Sequence, residues 1–168
     1  SNLPQNISYA YAVNAENEIY LFGGNNGNTC LSDIYKYDVK NDVFKRITSM
    51  AEAKNDFSAA YFNGKIYIFG GNKHCKETVG NNDSGNLSNK IEVYDIKKEI
   101  CMDVDTLDEP MSSFEAINYF DSIYILGGYT GVYKNSATRY YGINFPKNIS
   151  VKTFGSNVTV SFEKVPEA

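Results

Sequence analysis

Tryptophan is missing from this chain of 168 residues, histidine occurs once and proline four times. The large side chains are therefore 14 tyrosines and 10 phenylalanines. Apolar residues spaced for a long amphipathic helix are also missing, and the aromatics with evenly placed glycines favour β-structure. Arginine occurs only at Arg46 and Arg139, and the formal net charge is −4. Without clustered Lys and Arg, no surface for phosphate backbones is expected, so nucleic acid is not an expected partner. No apolar run approaches the roughly 18 residues that span a bilayer, and no signal-peptide pattern opens the chain. A membrane partner is not expected. Three cysteines at irregular spacing, Cys30, Cys75 and Cys101, do not read as a disulfide framework. They fit a reducing compartment, cytoplasmic or alternatively nuclear. With His74 as the single histidine, no nucleophile–His–acid set assembles, and the chain is expected not to be an enzyme.

What is present is a repeat. Glu18-Ile19-Tyr20-Leu21-Phe22-Gly23-Gly24, Lys65-Ile66-Tyr67-Ile68-Phe69-Gly70-Gly71 and Ser122-Ile123-Tyr124-Ile125-Leu126-Gly127-Gly128 share one pattern. Its period, near 50 residues, is that of propeller blades. A shorter β-prone run precedes each, and Asn63-Gly64 between them in the second repeat is a hairpin turn signal. After each glycine pair comes a loop of unequal length, then a third strand bearing a tyrosine. In the first repeat an outer strand, Val43-Phe44-Lys45-Arg46-Ile47, alternates apolar and charged residues as a half-exposed strand should. Four strands grading from buried to exposed make a blade. The expected fold is all-β, with three four-stranded antiparallel blades at about residues 6–49, 55–107 and 112–166.

On these residues the chain resembles a kelch repeat protein, whose pattern is a glycine pair, a tyrosine, and an aromatic seven positions after it. Tyr37 and Phe44 fit. Tyr94 is followed at that distance by Cys101, a departure, and Tyr141 by Asn148. Phe162 is taken as the third aromatic, displaced by an inserted hairpin or long turn at about residues 143–157. Cys101 is expected to be buried and unreactive, with a loosely packed strand edge unless Ile100 or Met102 fills the gap.

The resemblance implies that loops joining the second to the third strand, and one blade to the next, gather on one face and bind partners there. On this chain the former are residues 25–31, 72–88 and 129–136, and the latter 50–56 and 108–113, with 3–6 before the first blade. Partner-contacting candidates are Asn26, Asn28, Lys54, Asn55, Lys73, His74, Tyr129, Tyr133 and Lys134. Many relatives carry an arginine in the blade-to-blade loop to grip acidic peptides. Here Lys54 and Met111 stand at those positions. The 72–88 loop, about ten residues longer than its counterparts, reads either as a tolerated surface insertion or as a partner-contacting finger. Exposed loop aromatics such as Tyr129 and Tyr133 are typical anchors, or pack on an adjacent blade.

His74 and Cys75, with Cys30 from another loop, lack the ligand number and spacing of a zinc site. Asp103, Asp105, Asp108 and Glu109 lack the glycine and terminal glutamate of a calcium loop. No metal and no cofactor is expected. The function expected is a non-catalytic protein- or peptide-binding module; the resemblance implies a substrate recruiter of a ubiquitin ligase, a cytoskeletal binder or a regulatory half of a phosphatase, without selecting among them. The alternative is an enzyme or small-molecule binder using a central channel. Three blades cannot close a ring, so a homodimer completing six blades, or further blades of a longer chain, is expected to cover the open flanks.

Overall fold

In the second glycine-pair strand Ile66 and Ile68 point to one side and Tyr67 and Phe69 to the other, and all four are buried. A strand with apolar residues on both faces needs a covering layer on each. The computed structural model, which describes residues 2–75, 83–140, 150–154 and 157–161, shows those layers to be the neighbouring sheets.

The first sheet runs in the order β1 (Tyr11–Ala15), β2 (Glu18–Asn25), β3 (Cys30–Asp38), β4 (Val43–Ser49). The second repeats it as β5 (Ser58–Phe62), β6 (Lys65–Phe69), β7 (Lys90–Asp95), β8 (Ile100–Thr106). The third contains β9 (Ser112–Tyr119), β10 (Ser122–Tyr129) and β11 (Ala137–Tyr140). All pairings are antiparallel. The outer strand expected for the third blade, with Phe162, lies outside the described residues, as does Tyr141. A separate hairpin, β12 (Ser150–Phe154) with β13 (Asn157–Ser161), falls in and just beyond the stretch expected to hold an insertion. Among the described residues the only helical element is a 3₁₀ turn, Asp83–Asn86. The fold is the all-β series of kelch-type blades that the glycine pairs announce.

Register corrects one residue of the repeat. Ile19 faces Tyr37, Ile66 faces Tyr94, and Ile123 faces Tyr140. Tyr140 therefore holds the tyrosine position that the sequence assigned to Tyr141. Two adjacent tyrosines look alike in sequence; only the side of the strand each takes distinguishes them. Tyr140 turns onto Tyr67 and Phe69 of the preceding blade, with ring centroids at 6.0 and 5.2 Å. Tyr94 sits in the same way on Tyr20 and Phe22, at 5.7 and 5.9 Å.

Two cores result, one per blade junction. Tyr20, Phe22 and Ile34 of the first blade meet Ile66, Ile68 and Tyr94 of the second. Tyr67, Phe69, Ile91 and Val93 meet Phe114, Ile123 and Ile125 of the third. The outer position behaves as its residues dictate. Tyr37 and Phe44 are register partners with rings 4.8 Å apart. Opposite Tyr94 stands Cys101, packed half-buried against the first core, while Ile100 and Met102 face solvent and fill nothing. Burial first, and the nearby Glu92 carboxylate second, push the Cys101 thiol up to about 12.

The glycine pairs have a steric reason. Both members take positive φ, 56° and 106° at Gly70 and Gly71, a region open to glycine at little cost. A Cβ on Gly70 would lie 2.4 Å from the Met111 carbonyl oxygen, and one on Gly23 2.8 Å from that of Lys54. The loop entering the next blade passes directly over the pair. Over Gly127 the nearest such atom is at 3.9 Å.

Candidate functional site

Passage over the glycines brings the two kinds of loop together. Gly24 N donates to Lys54 O at 3.0 Å and Lys54 N to Leu31 O at 3.2 Å. Asn55 and Asn72 exchange backbone hydrogen bonds of 2.9 and 2.8 Å. One blade on, Gly71 N donates to Met111 O at 2.8 Å and Met111 N to Ser88 O at 3.1 Å. Loops within blades and loops between blades thus alternate along one face, as the resemblance implies, and Lys54 and Met111 are equivalent positions.

Two candidates do not stand on that face. Lys54 is fully buried, its Nζ 2.8 Å from Glu92 Oε1 on β7 of the next blade. The two charges meet without a well-directed hydrogen bond between them. Glu92 Oε2 accepts from Ala51 N at 2.6 Å. Lys54 therefore fastens the inter-blade loop from inside, and the partner-contacting role read from sequence is corrected. A glutamate between Ile91 and Val93 in an apolar strand was the available signal, since a buried charge requires a partner. Asn55 is also buried. Its Nδ2 donates to His74 O at 3.2 Å and lies 2.7 Å from Cys75 Sγ.

That sulfur belongs to a disulfide. Cys30, opening β3, and Cys75, in the loop after Gly71, are bonded with Cα atoms 5.1 Å apart, an ordinary span for the bond. The pairing corrects the reading of the cysteines as forming no disulfide. Irregular spacing hid it, because the partners come from different blades and meet only when the loops cross. Asn25 Nδ2 donates to Cys75 O at 3.1 Å, and His74 N to Asn72 Oδ1 at 2.8 Å. Asn26 Oδ1 accepts from Asn28 N and Thr29 N at 3.0 and 2.9 Å, which folds the first loop into a tight turn. Asn28 and Lys73 are exposed, Asn26 and His74 half-buried.

Among the described residues, the third blade's loop presents an exposed apolar pair. Lys134 N donates to Gly128 O at 2.8 Å and Thr130 N to Val132 O at 3.1 Å, closing a short hairpin. At its tip Tyr133 is 89% and Val132 64% exposed. The Tyr129 ring lies 5.3 Å from that of Tyr133, and Lys134 Nζ pairs with Glu109 at 2.7 Å. Val132 escaped sequence reasoning, which at this loop weighed Tyr129, Tyr133 and Lys134.

The inner strands leave less room for chemistry. Tyr11, Ser58 and Glu115 occupy one register level, facing Phe22, Phe69 and Leu126. The Tyr11 hydroxyl donates to Glu115 Oε1, from the first blade's inner strand to the third's. Burial, then that carboxylate, raise the Tyr11 pKa. Among the described residues no cluster of three or more His, Cys, Asp or Glu side chains could hold a metal.

The sequence pattern of the Attractin/LZTR1 beta-propeller family matches residues 6–138. Kelch-like protein 40 of Xenopus laevis is 28% identical over 135 residues, 80% of this chain and 20% of that protein. Spermatocyte protein spe-26 of Caenorhabditis elegans is 26% identical over 133 residues, 77% of this chain and 22% of its own length. Kelch repeat and BTB domain-containing protein 2 of cowpox virus is 28% identical over 132 residues, again 77% and 22%. The chain spans about a fifth of the length of these curated relatives. Glycine pairs under crossing loops, a tyrosine locked onto the preceding blade and this match over most of the sequence agree: the chain belongs to the Attractin/LZTR1 β-propeller family and is a kelch-repeat propeller protein.

Proposed function

We propose that this chain is the protein-recruiting part of a kelch propeller, binding a protein or peptide through its loop face without catalysis. The observation that carries this reading is the Val132–Tyr133 tip, held up by a hydrogen-bonded hairpin and backed by Tyr129. A rigid exposed aromatic binds at low entropic cost, and such residues dominate interface energies. Asn28, Lys73 and His74 supply polar contacts along the same face. The Tyr11–Glu115 bridge across the inner strands favours the face over a channel-bound small molecule. A role as substrate recruiter in a larger assembly fits the BTB domain named in the cowpox relative.

The test is capture of partners by the wild-type chain and by a Val132→Asp/Tyr133→Ala variant, beside a thermal-shift screen of metabolites. Partners captured by the wild type and lost by the variant are expected. A large metabolite shift with no loss of capture would overturn the reading in favour of the channel.

The open flanks belong to the same proposal. Tyr124 and Leu126 on β10 occupy the places of Tyr20/Phe22 and Tyr67/Phe69, each of which receives a tyrosine from the following blade. Tyr37 on β3 is such a tyrosine with no described blade before it. Leu126 is 42% exposed and Ile117 51%. Each flank is thus one half of the same joint, completed by further blades of a longer chain or by a second copy in two-fold pairing.

A further inference from the structure

The disulfide lies outside both inter-blade cores. Blades one and two are already joined by the apolar core and by the buried Lys54–Glu92 pair. What the bond adds is a tie at the loop face, between the start of β3 and the segment leaving Gly71. Its sulfurs are unequal. Cys75 is buried at 7% exposure, whereas Cys30 is half-buried. The Asn55 amide nitrogen lies 2.7 Å from Cys75 Sγ and 3.7 Å from Cys30 Sγ. An N–H aimed at one sulfur stabilises the thiolate that forms there, and a stabilised thiolate is the better leaving group.

We propose that Cys30–Cys75 is a reducible clasp, opened by a dithiol attacking Cys30, whose state sets how tightly the loop faces of blades one and two are joined. In the first step a reductant thiolate bonds to Cys30 Sγ and the S–S bond breaks. Its electron pair leaves on Cys75, held by the Asn55 N–H until a proton arrives. The reductant's second thiolate then attacks its own sulfur in the mixed disulfide and releases Cys30. Two electrons and two protons pass to the protein, and the reductant becomes a cyclic disulfide. Asn55 is a positioning residue, since its other contacts, to His74 O and through its backbone to Asn72, hold the amide in place. With the clasp open, the hydrogen bonds from Asn25 to Cys75 O and from Asn55 to His74 O remain to hold this segment against the first blade. In a reducing compartment the clasp rests open, and a disulfide-bearing oxidant closes it by the reverse exchange. The proposal stands whether or not the face binds a partner.

The experiment treats the oxidised chain with dithiothreitol without denaturant, blocks thiols with iodoacetamide over time, and maps them by peptide mass. Cys30 and Cys75 are expected to label together and only after reductant, while Cys101 stays protected. Amide exchange should rise at residues 25–29 and 72–75 and stay unchanged in β6. Asn55→Ala should slow opening about tenfold, the scale of one hydrogen bond to a charged group. If that variant does not hold the fold, Asn55→Asp serves, and should slow opening at least as much. A Cys30→Ser/Cys75→Ser variant should show the opened exchange pattern with no reductant. Labelling of both cysteines before reductant, opening only together with exchange in β6, or an unchanged rate in the Asn55 variant would each overturn the proposal.

Discussion

At the scale of single residues, backbone crowding and buried charge decide the costs. Gly70 carries both a positive φ and a carbonyl 2.4 Å from any added Cβ, whereas Gly127 carries only the φ. Gly70→Ala should therefore cost roughly 2–4 kcal/mol, and Gly127→Ala only about 1 kcal/mol, in urea unfolding. Equal costs would show that the crossing loop is not what the pair accommodates. The Lys54–Glu92 pair makes a second claim. Removing one partner strands a buried charge, so Lys54→Met alone should destabilise by about 3–5 kcal/mol. Lys54→Met with Glu92→Met should recover most of that loss, and additive losses would contradict the pairing. Cys101 adds a pH dependence. Its thiol is held protonated in the fold, up to about 12, against an ordinary 9.0. The native state thus keeps a proton that the unfolded chain releases. The stabilisation is whole below pH 9 and falls as pH rises towards 12, by at most about 1.4 kcal/mol per pH unit. Burial raises Tyr94 and Tyr140 in the same sense. Melting temperature should drop between pH 9 and 11, and Cys101→Ala should flatten that drop.

At the scale of elements the unit is the joint between blades, a tyrosine on an aromatic pair. Tyr94 fills such a joint and is 1% exposed. Tyr94→Ala should cost about 3–5 kcal/mol. Tyr37, packed on Phe44 and bonded to Asp42 within its own blade, should cost less than about 2 kcal/mol in this chain. The same change in a form carrying further blades should approach the Tyr94 value. The strands themselves were legible in sequence because period two with apolar residues on both faces leaves few alternatives. Register was not. The choice between Tyr140 and Tyr141 depends on which side of β11 meets Tyr67 and Phe69, and the deviation of Cys101 from the aromatic pattern gave no hint that Glu92 lies beside it.

At the scale of the whole molecule, the proposed joint sets Tyr37 on one flank against Tyr124, Leu126 and Ile117 on the other. Light scattering of the chain should show a dimer, reduced to monomer by Leu126→Lys with Tyr37→Glu. A monomeric wild-type chain would assign both flanks to blades from a longer polypeptide. The sequence by itself determined the blades, their number and the places of the loops, because glycine pairs and alternating apolar residues are local requirements of backbone and strand. Only the tertiary structure decided which loop residues face outward. Lys54 and Asn55 turn inward and Cys30 meets Cys75 because loops from different blades cross over the glycines. No local pattern encodes a contact made by a crossing: of three cysteines at irregular spacing, two meet.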